Sequence, residues 1–229
     1  ALIEKMIDLI NFDCIPIIPS QGSVGASGDL APLSHMSLPL IGLGEIMHGS
    51  KQYSSKEILK KLKISVFELS YKEGLALING TQFSSAYGVF CMNRLNELVK
   101  IADVAGAIST EGLMGTDKAF SSKVHELKEH IGQKISASNL FSLLQNSEIH
   151  ESHMDCERVQ DMYSIRCMPQ VHGACRDTIS VANDMVEKEI NSVSDNPLVF
   201  LDGSIISAGH FHAEASGQAM DISAIALTE

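Results

Sequence analysis

The sequence GTQFSSAYGVFCMNRLNELVKIADVAGAIS, residues 80–109, is the longest periodic stretch of this 229-residue chain. Its apolar side chains recur three or four residues apart, which places them on one face of an α-helix for about eight turns. The stretch is rich in alanine and weakly charged from Ile101 to Ile108, so we expect several helices to surround it. The residues of the repeat are Phe83, Ala86, Tyr87, Phe90, Leu95, Leu98, Ile101, Ala102, Ala105 and Ile108.

Shorter helical patterns lie on both sides of this stretch. They cover residues 1–12, 54–62 (opened by a capping box from Ser54 to Glu57), 122–130, 137–145, 174–190 and 219–229. Residues 30–46 read as a short buried helix and a turn, and the two prolines of residues 15–19 favour extended chain. Asp202-Gly203 separates two β-prone segments and predicts a hairpin. The sequence therefore predicts a mainly α fold of long packed helices with one or two small β-hairpins.

Composition limits the class of partner. A formal net charge of −11 repels nucleic acid and anionic lipid, and no apolar run is long enough to cross a bilayer. Five cysteines without a Cys-x-x-Cys pair favour reduced thiols, so we expect a cytoplasmic protein that binds neither membrane nor nucleic acid. Both ends of the chain fall inside helical patterns, which we interpret as those of an internal segment.

One glycine-rich loop, Gly22 to Leu33, is the strongest chemical motif in the chain, and it allows three interpretations. A glycine cluster usually forms a tight turn. A phosphate cradle is rejected, because the spacing fits neither G-x-G-x-x-G nor the P-loop pattern and no lysine follows. The third interpretation is autocatalytic cyclisation of Ala26-Ser27-Gly28.

In this cyclisation the Gly28 amide nitrogen attacks the Ala26 carbonyl carbon and two waters leave. Glycine suits the nucleophile because it has no Cβ to hinder the approach. Loss of the Ser27 hydroxyl gives an exocyclic methylidene, and Asp29 is placed to assist proton transfer. The product is a methylidene-imidazolone, a strong electrophile made from the chain itself.

The string GSVGASGDLAPLSHM, residues 22–36, resembles the prosthetic-group signature of the aromatic amino acid ammonia-lyase and aminomutase family, most closely the histidine lyases. Four further segments resemble family blocks in family order, so the resemblance covers essentially the whole chain. They are residues 73–81 (EGLALINGT), 160–167 (QDMYSIRC), 189–197 (EINSVSDNP) and 209–214 (GHFHAE).

The resemblance implies a fumarase/aspartase-like helical bundle. Residues 1–80 would form the prosthetic-group loop region and residues 81–229 the start of the central bundle. The implied reaction converts L-histidine into urocanate and ammonia in a homotetramer, with the methylidene-imidazolone as cofactor and neither metal nor nucleotide. We expect the segment alone to lack full activity. The alternatives are a phenylalanine or tyrosine lyase, an aminomutase, and an inert helical scaffold or interaction protein.

The resemblance also implies roles for four residues in the central blocks. Asn79 would hydrogen-bond the prosthetic ring or the substrate, and Arg166 would bind the substrate carboxylate. Tyr163 would support proton transfer or positioning, with Gln160 hydrogen-bonding nearby. Outside these motifs, the same residue types are more often a helix-start residue, surface groups or a half-buried core residue. Met162 departs from the pattern, where the family usually has proline.

The last block is implied to be at the substrate. Phe211 would pack on the prosthetic group or the substrate ring, although plain core packing is equally expected from its residue type. His212 and Glu214 mark histidine lyases against phenylalanine lyases. His210 and Ala215-Ser216 depart from the family's usual asparagine and proline. A minor alternative is a metal site on His210, His212 and Glu214, which would share one face of a strand.

Overall fold

The computed structural model describes residues 1–24 and 28–229, so Ala26 and Ser27 of the predicted cyclising tripeptide lie outside the described residues. The helices are α1 (Leu2–Asn11), α2 (Leu30–Ser37), α3 (Ser55–Lys61), α4 (Glu73–Ile78), α5 (Gln82–Gly112), α6 (Ser122–His125), α7 (Ile131–Leu143), α8 (Glu148–Ser152), α9 (Tyr163–Arg166), α10 (Met168–Ile190) and α11 (Glu214–Ala226). The strands are β1 (Cys14–Pro16), β2 (Glu45–His48), β3 (Lys51–Ser54), β4 (Leu198–Val199) and β5 (Ile205–Ile206). The predicted mainly α fold with small hairpins is confirmed.

The chain divides into two compact units. The first comprises Ala1–Ala86 and Glu189–Glu214, and the second comprises Tyr87–Lys188 and Ala215–Glu229. In the described residues, no helix combines the length and the apolar character needed to cross a membrane.

The first unit is built on an antiparallel sheet in the order β1-β2-β3, with Ile46 opposite Tyr53. One face of the sheet packs with α1, α3 and α4 around a single apolar cluster. Its buried members are Leu9, Cys14, Leu40, Ile46, Ile58, Leu59, Ile64 and Leu77. This cluster holds α4, whose last turn leads into Asn79.

Two elements of the first unit differ from the sequence-based expectation. Residues 30–46 were expected to be a helix and a turn, but β2 begins at Glu45 and pairs with β3. The missed signal is Gly49-Ser50, a two-residue turn in which Gly49 has a φ of 58°. Helix α4 was not predicted, because six residues are too few for a helical period to stand out.

The predicted hairpin is confirmed by β4 and β5, which pair Leu198 with Ile206. The turn is closed by Asp202, whose carboxylate accepts from the Ser204 amide and hydroxyl at 2.9 and 2.7 Å. Gly203 supplies the positive φ of 84° that the turn needs.

The second unit is helical. The predicted long helix is confirmed as α5, which spans 31 residues and packs with α10 and α11 around Met92, Leu95, Ile179, Ala182, Val186, Ala219 and Ala226. A second cluster near the other end of α5 joins Ala107, Phe120, Leu140, Leu144, Ile165 and Met168. Helix α10 begins at Met168, earlier than the expected residue 174, and α6 ends at His125, short of residue 130.

A buried carboxylate, Asp103 on α5, ties three helices of the second unit together. Asp103 is 1% exposed and accepts hydrogen bonds from His172 Nδ1 at 2.9 Å, Asn139 Nδ2 at 2.8 Å and Arg176 at 2.5 Å. Burial by itself raises the pKa of this carboxyl. The hydrogen bonds from His172 and Asn139 and the charge of Arg176 outweigh burial and lower the pKa below its usual value.

Replacing Asp103 with Asn is expected to destabilise the protein by about 3–5 kcal/mol at neutral pH, because Arg176 is left without its counter-charge. A depressed folded-state pKa contributes stability above the unfolded value of about 3.9, and that stability is lost as the pH falls through the folded value. Thermal melting of wild type and Asp103→Asn should therefore differ most near pH 7 and converge below about pH 4.

The matched control is Glu97→Gln, which removes a carboxylate from the same helix. Glu97 pairs with Lys100 at 2.9 Å, and the two side chains are 67% and 62% exposed. We expect a change within about 0.5 kcal/mol. Equal melting temperatures for Asp103→Asn and wild type at neutral pH would contradict the prediction.

Candidate active site

Gly28 is the best-defined point of the predicted cyclising loop. Its N–H donates to the carbonyl oxygen of Phe211 at 3.1 Å, and its φ is 65°. A Cβ added to Gly28 would lie 2.6 Å from the side-chain oxygen of Asn79 and 3.4 Å from the Asn79 Cα. The positive φ and the close Asn79 contact both require glycine here.

Asp29 joins the loop to helix α5. Its carboxylate is 5% exposed and accepts from the hydroxyls of Ser23 at 2.5 Å and Ser84 at 2.9 Å. Ser23 precedes Gly28 in the loop, and Ser84 lies in the first turn of α5. The Asp29 side chain does not cap its own helix α2, so both carboxylate oxygens are available to the hydroxyls of Ser23 and Ser84. Ser84 carries no motif that would have identified it from the sequence.

Asn79 follows the last residue of α4 and faces Gly28 with its side-chain oxygen. Its amide nitrogen donates in the other direction, to the carbonyl of Asn196 at 3.0 Å and the carboxylate of Asp195 at 3.4 Å. The sequence left two interpretations of Asn79 open, a role at the ring and a helix-start position beside Gly80. Asn79 instead directly follows the end of α4, which brings its side chain to Gly28. Its role at the ring stays a prediction.

Phe211 contacts Gly28 through its backbone carbonyl. Phe211 is half-buried, and the packing of its ring on the prosthetic group or the substrate stays a prediction. The following His212 N–H donates to the carbonyl of Gly209 at 3.0 Å, which makes this segment a turn. The Glu214 N–H donates to His212 Nδ1 at 3.1 Å, so that exposed His212 caps the start of α11 with an unprotonated nitrogen.

The alternative of a metal site required His210, His212 and Glu214 to lie on one face of a strand, and the structure contradicts this requirement. Residues 210–211 form a turn and not a strand, so His210, His212 and Glu214 do not alternate on one strand face. Across residues 1–24 and 28–229, no group of three His, Cys, Asp or Glu side chains has a spacing that could hold a metal ion.

The remaining predicted residues belong to the second unit. Tyr163 and Arg166 begin and end α9, and the guanidinium carbon of Arg166 lies 4.6 Å from the centroid of the Tyr163 ring. Arg166 Nε is buried and finds no hydrogen-bond partner among the described residues. A buried guanidinium nitrogen without a partner is costly, so it indicates a place for an anionic group.

Gln160 lines a cavity of about 240 Å³ in the second unit, together with Thr116, His150, Arg158 and Asp161. The Asp161 carboxylate accepts from the Thr116 backbone N–H at 2.8 Å and fixes the turn that carries Gln160. Gln160 itself is exposed.

The structure therefore brings Gly28, Asp29, Asn79 and Phe211 together in the first unit, with His212 and Glu214 directly after Phe211. It brings Tyr163 and Arg166 together in the second unit, with Gln160 a few residues earlier. The chemical role of each residue stays a prediction.

The local geometry fits the proposed prosthetic group in one direct way. The nitrogen that would attack is held by a carbonyl acceptor, and the carbon beside it lies against an amide oxygen with no room for a side chain. A hydrogen bond from Gly28 N–H to a carbonyl draws the proton away from nitrogen, which favours nucleophilic attack. Asp29, the next residue, is held by the hydroxyls of Ser23 in the loop and Ser84 on α5.

The loop motif and the mainly helical fold agree with the family resemblance of the sequence. The sequence model of the family described as "Aromatic amino acid lyase" matches residues 1–229, and the chain belongs to that family. Histidine ammonia-lyase of Myxococcus xanthus is 47% identical over 224 residues, which are 97% of this chain and 44% of that protein. The chain thus spans less than half the length of the curated relatives it matches.

Solved structures give the same fold. The crystal structure of histidine ammonia-lyase from Trypanosoma cruzi is 38% identical with a TM-score of 0.85, over 99% of this chain and 42% of that one. Tyrosine aminomutase from Streptomyces globisporus is 33% identical with a TM-score of 0.87, over 99% of this chain and 46% of that one.

Gly28→Ala is expected to destabilise the protein more than Gly203→Ala, as measured by thermal melting. Both glycines have a positive φ, which costs another residue about 1–2 kcal/mol. Nothing lies within 4 Å of a Cβ at Gly203, whereas a Cβ at Gly28 meets Asn79, an overpacking that adds about 1–3 kcal/mol. Equal losses would show that the Asn79 contact is not restrictive.

Proposed function

We propose that this chain is the loop-bearing part of an ammonia-lyase that converts L-histidine into urocanate and ammonia. The observation that carries the proposal is Gly28, whose nitrogen is held by the Phe211 carbonyl and whose Cα is packed on Asn79. The 47% identity to a histidine ammonia-lyase over nearly the whole chain supports histidine as the substrate.

The prosthetic group in this proposal is a methylidene-imidazolone made from Ala26, Ser27 and Gly28. A bond forms from Gly28 nitrogen to the Ala26 carbonyl carbon, whose oxygen leaves as one water with the N–H hydrogens of Gly28 and Ser27. The Ser27 hydroxyl leaves with its α-hydrogen as the second. Once formed, the group would supply an electrophile that no ordinary side chain offers.

Within this proposal the residues of the first unit orient the loop and handle its protons. The Phe211 carbonyl accepts the Gly28 N–H that must be lost in ring closure. Asp29 is the nearest carboxylate in the loop and holds Ser23 and Ser84, so it can accept a proton without leaving its site. Asn79 holds its oxygen against Gly28.

The residues of the second unit would bind the amino acid. Arg166 is proposed to bind the substrate carboxylate as a bidentate pair, supported by its buried Nε without a partner among the described residues. Tyr163, under the guanidinium and 74% exposed, leaves its hydroxyl available to hold or move a proton. Gln160 would hydrogen-bond to the substrate from the cavity it lines.

His212 and Glu214 are proposed to favour histidine through the segment after Phe211. The likeness to a tyrosine aminomutase supports a second candidate, the same electrophile acting on a tyrosine or phenylalanine substrate. A panel of histidine, phenylalanine and tyrosine separates the two, because urocanate and the aryl acrylates have distinct ultraviolet absorbance.

The complete enzyme is proposed to be a homotetramer. Along α5, Phe90, Ile101 and Ile108 are 59%, 59% and 66% exposed, an apolar face that an assembly would cover. Because the chain covers 44% of the length of its relative, the 229 residues alone are expected to lack full activity.

Ser27→Ala in the complete gene product is expected to abolish urocanate formation, because no methylidene can form without the hydroxyl. The parent protein should be lighter than its sequence mass by about 36 Da, two waters, whereas the variant should not show this loss. The measurements are intact mass and urocanate absorbance.

The control for Ser27→Ala is Ser34→Ala, which removes another hydroxyl from the same motif. Ser34 is half-buried and donates to the Leu30 carbonyl at 2.6 Å within α2. It should keep both the mass loss and the turnover. Unchanged turnover in Ser27→Ala would refute the electrophile, and an unmodified parent mass would favour the inert scaffold.

Arg166→Lys is expected to raise KM for histidine by about 10- to 100-fold, since one charged hydrogen bond of the bidentate pair, about 1.5–3 kcal/mol, is lost. Arg94→Lys is the control, because Arg94 is an exposed residue of α5 whose guanidinium carbon lies 5.3 Å from the centroid of the Phe90 ring. Steady-state kinetics is measured on both variants. A KM for Arg166→Lys equal to that of Arg94→Lys would remove Arg166 from substrate binding.

A further inference from the structure

The Asn79 amide could face Gly28 with either its oxygen or its nitrogen. An asparagine amide carries an acceptor oxygen and two donor hydrogens, so the opposite side of the group decides the matter. On that side lie two acceptors, the Asn196 carbonyl at 3.0 Å and the Asp195 carboxylate at 3.4 Å. Neither can donate, so the nitrogen must face them and the oxygen must face Gly28.

Asp195 is a buried charge whose surroundings are arranged to keep it in place. It is 6% exposed, and its Oδ1 accepts from the backbone N–H of Asn196 at 2.6 Å. Its Oδ2 forms an ion pair with the ammonium of Lys72, whose side chain is 26% exposed. The Lys72 charge offsets the cost of burying the carboxylate.

Helix α4 lies between Lys72 and Asn79, and Asp195 binds the side chains of both residues. Lys72 stands immediately before the helix with a φ of 66°, and Asn79 stands immediately after it. The helix is about 9 Å long, so one carboxylate between its ends can bind both side chains. Asp195 therefore fixes α4 at both ends, and with it the position from which Asn79 reaches Gly28.

We propose that Lys72 and Asp195 are positioning residues that hold the Asn79 amide with its oxygen towards Gly28. They act through Asn79 and do not contact the loop glycine. The proposal deepens the proposed function and rests on it, because the orientation matters for chemistry only if the loop is the reactive group.

The test is a double-mutant cycle in the complete gene product with Asp195→Asn and Asn79→Ala. The amide introduced by Asp195→Asn keeps the shape of the carboxylate but can present a donor, which leaves only the Asn196 carbonyl to favour one orientation of the Asn79 amide. Asp195→Asn is expected to lower kcat by about 10- to 100-fold, as expected for a misplaced group, with little change in KM. In the Asn79→Ala background the same change should cost less than about twofold.

Three further variants separate positioning from general damage. Glu73→Gln neutralises a carboxylate on α4 that accepts from the Ser70 N–H at 2.7 Å and should leave kcat unchanged. Lys72→Met should lower kcat, and Lys72→Arg should restore most of it. Both substitutions carry the same backbone cost at a positive φ, so the difference between them reports the charge.

Intact mass and thermal melting are recorded for every variant. Slower loss of about 36 Da in Asp195→Asn than in Glu73→Gln would place the effect at ring closure, whereas a complete loss with reduced kcat would place it at turnover. Both results support the proposal. Losses in kcat that multiply independently across the cycle would overturn it.

Failure of the proposed function has a different signature. A parent protein at unmodified mass without lyase activity would refute the function, and the melting temperatures would then decide the positioning. A non-additive shift between Asp195→Asn and Asn79→Ala is expected from their contact, and additive shifts would overturn the proposal.

Discussion

The contact on which the site depends is the one between Gly28 and its two neighbours. The Phe211 carbonyl accepts the Gly28 N–H at 3.1 Å, and the Asn79 oxygen lies 2.6 Å from the position that a Cβ would take. These two contacts specify a glycine in left-handed backbone, with its nitrogen aimed at an acceptor. Other parts of the first unit serve to keep the two partners there, namely α4 for Asn79 and the turn before α11 for Phe211.

Buried carboxylates hold these elements in place. A charge is buried only when several donors converge on it, so each carboxylate fixes the elements that supply those donors. Asp29 joins the loop to α5 through two serine hydroxyls, and Asp195 joins both ends of α4 to the segment before the hairpin. In the second unit Asp103 does the same for α5, α7 and α10. An apolar contact would tolerate sliding, whereas these hydrogen bonds fix the register.

The fold was predictable where the chain repeats over many residues or carries a known turn. Helix α5 follows from its apolar period, and the β4–β5 hairpin follows from Asp202-Gly203. Short elements were not predictable. Strands β2 and β3 have four residues each and pair around Gly49-Ser50, and α4 has six residues, so tertiary packing decides their state. The division of the chain into a prosthetic-group loop region, residues 1–80, and the start of a central bundle, residues 81–229, stays a prediction.

The sequence by itself determined which atoms the proposed cyclisation would use. The order Ala26, Ser27, Gly28, Asp29 sets which nitrogen would attack and which hydroxyl would leave, because those relations are covalent and local. Only the tertiary structure decided what holds Gly28. A backbone carbonyl such as that of Phe211 has no signature in the sequence, and Asn79 and Asp195 are 116 residues apart. The folded chain alone brings them within hydrogen-bond distance, and its packing sets the direction in which the Asn79 amide points.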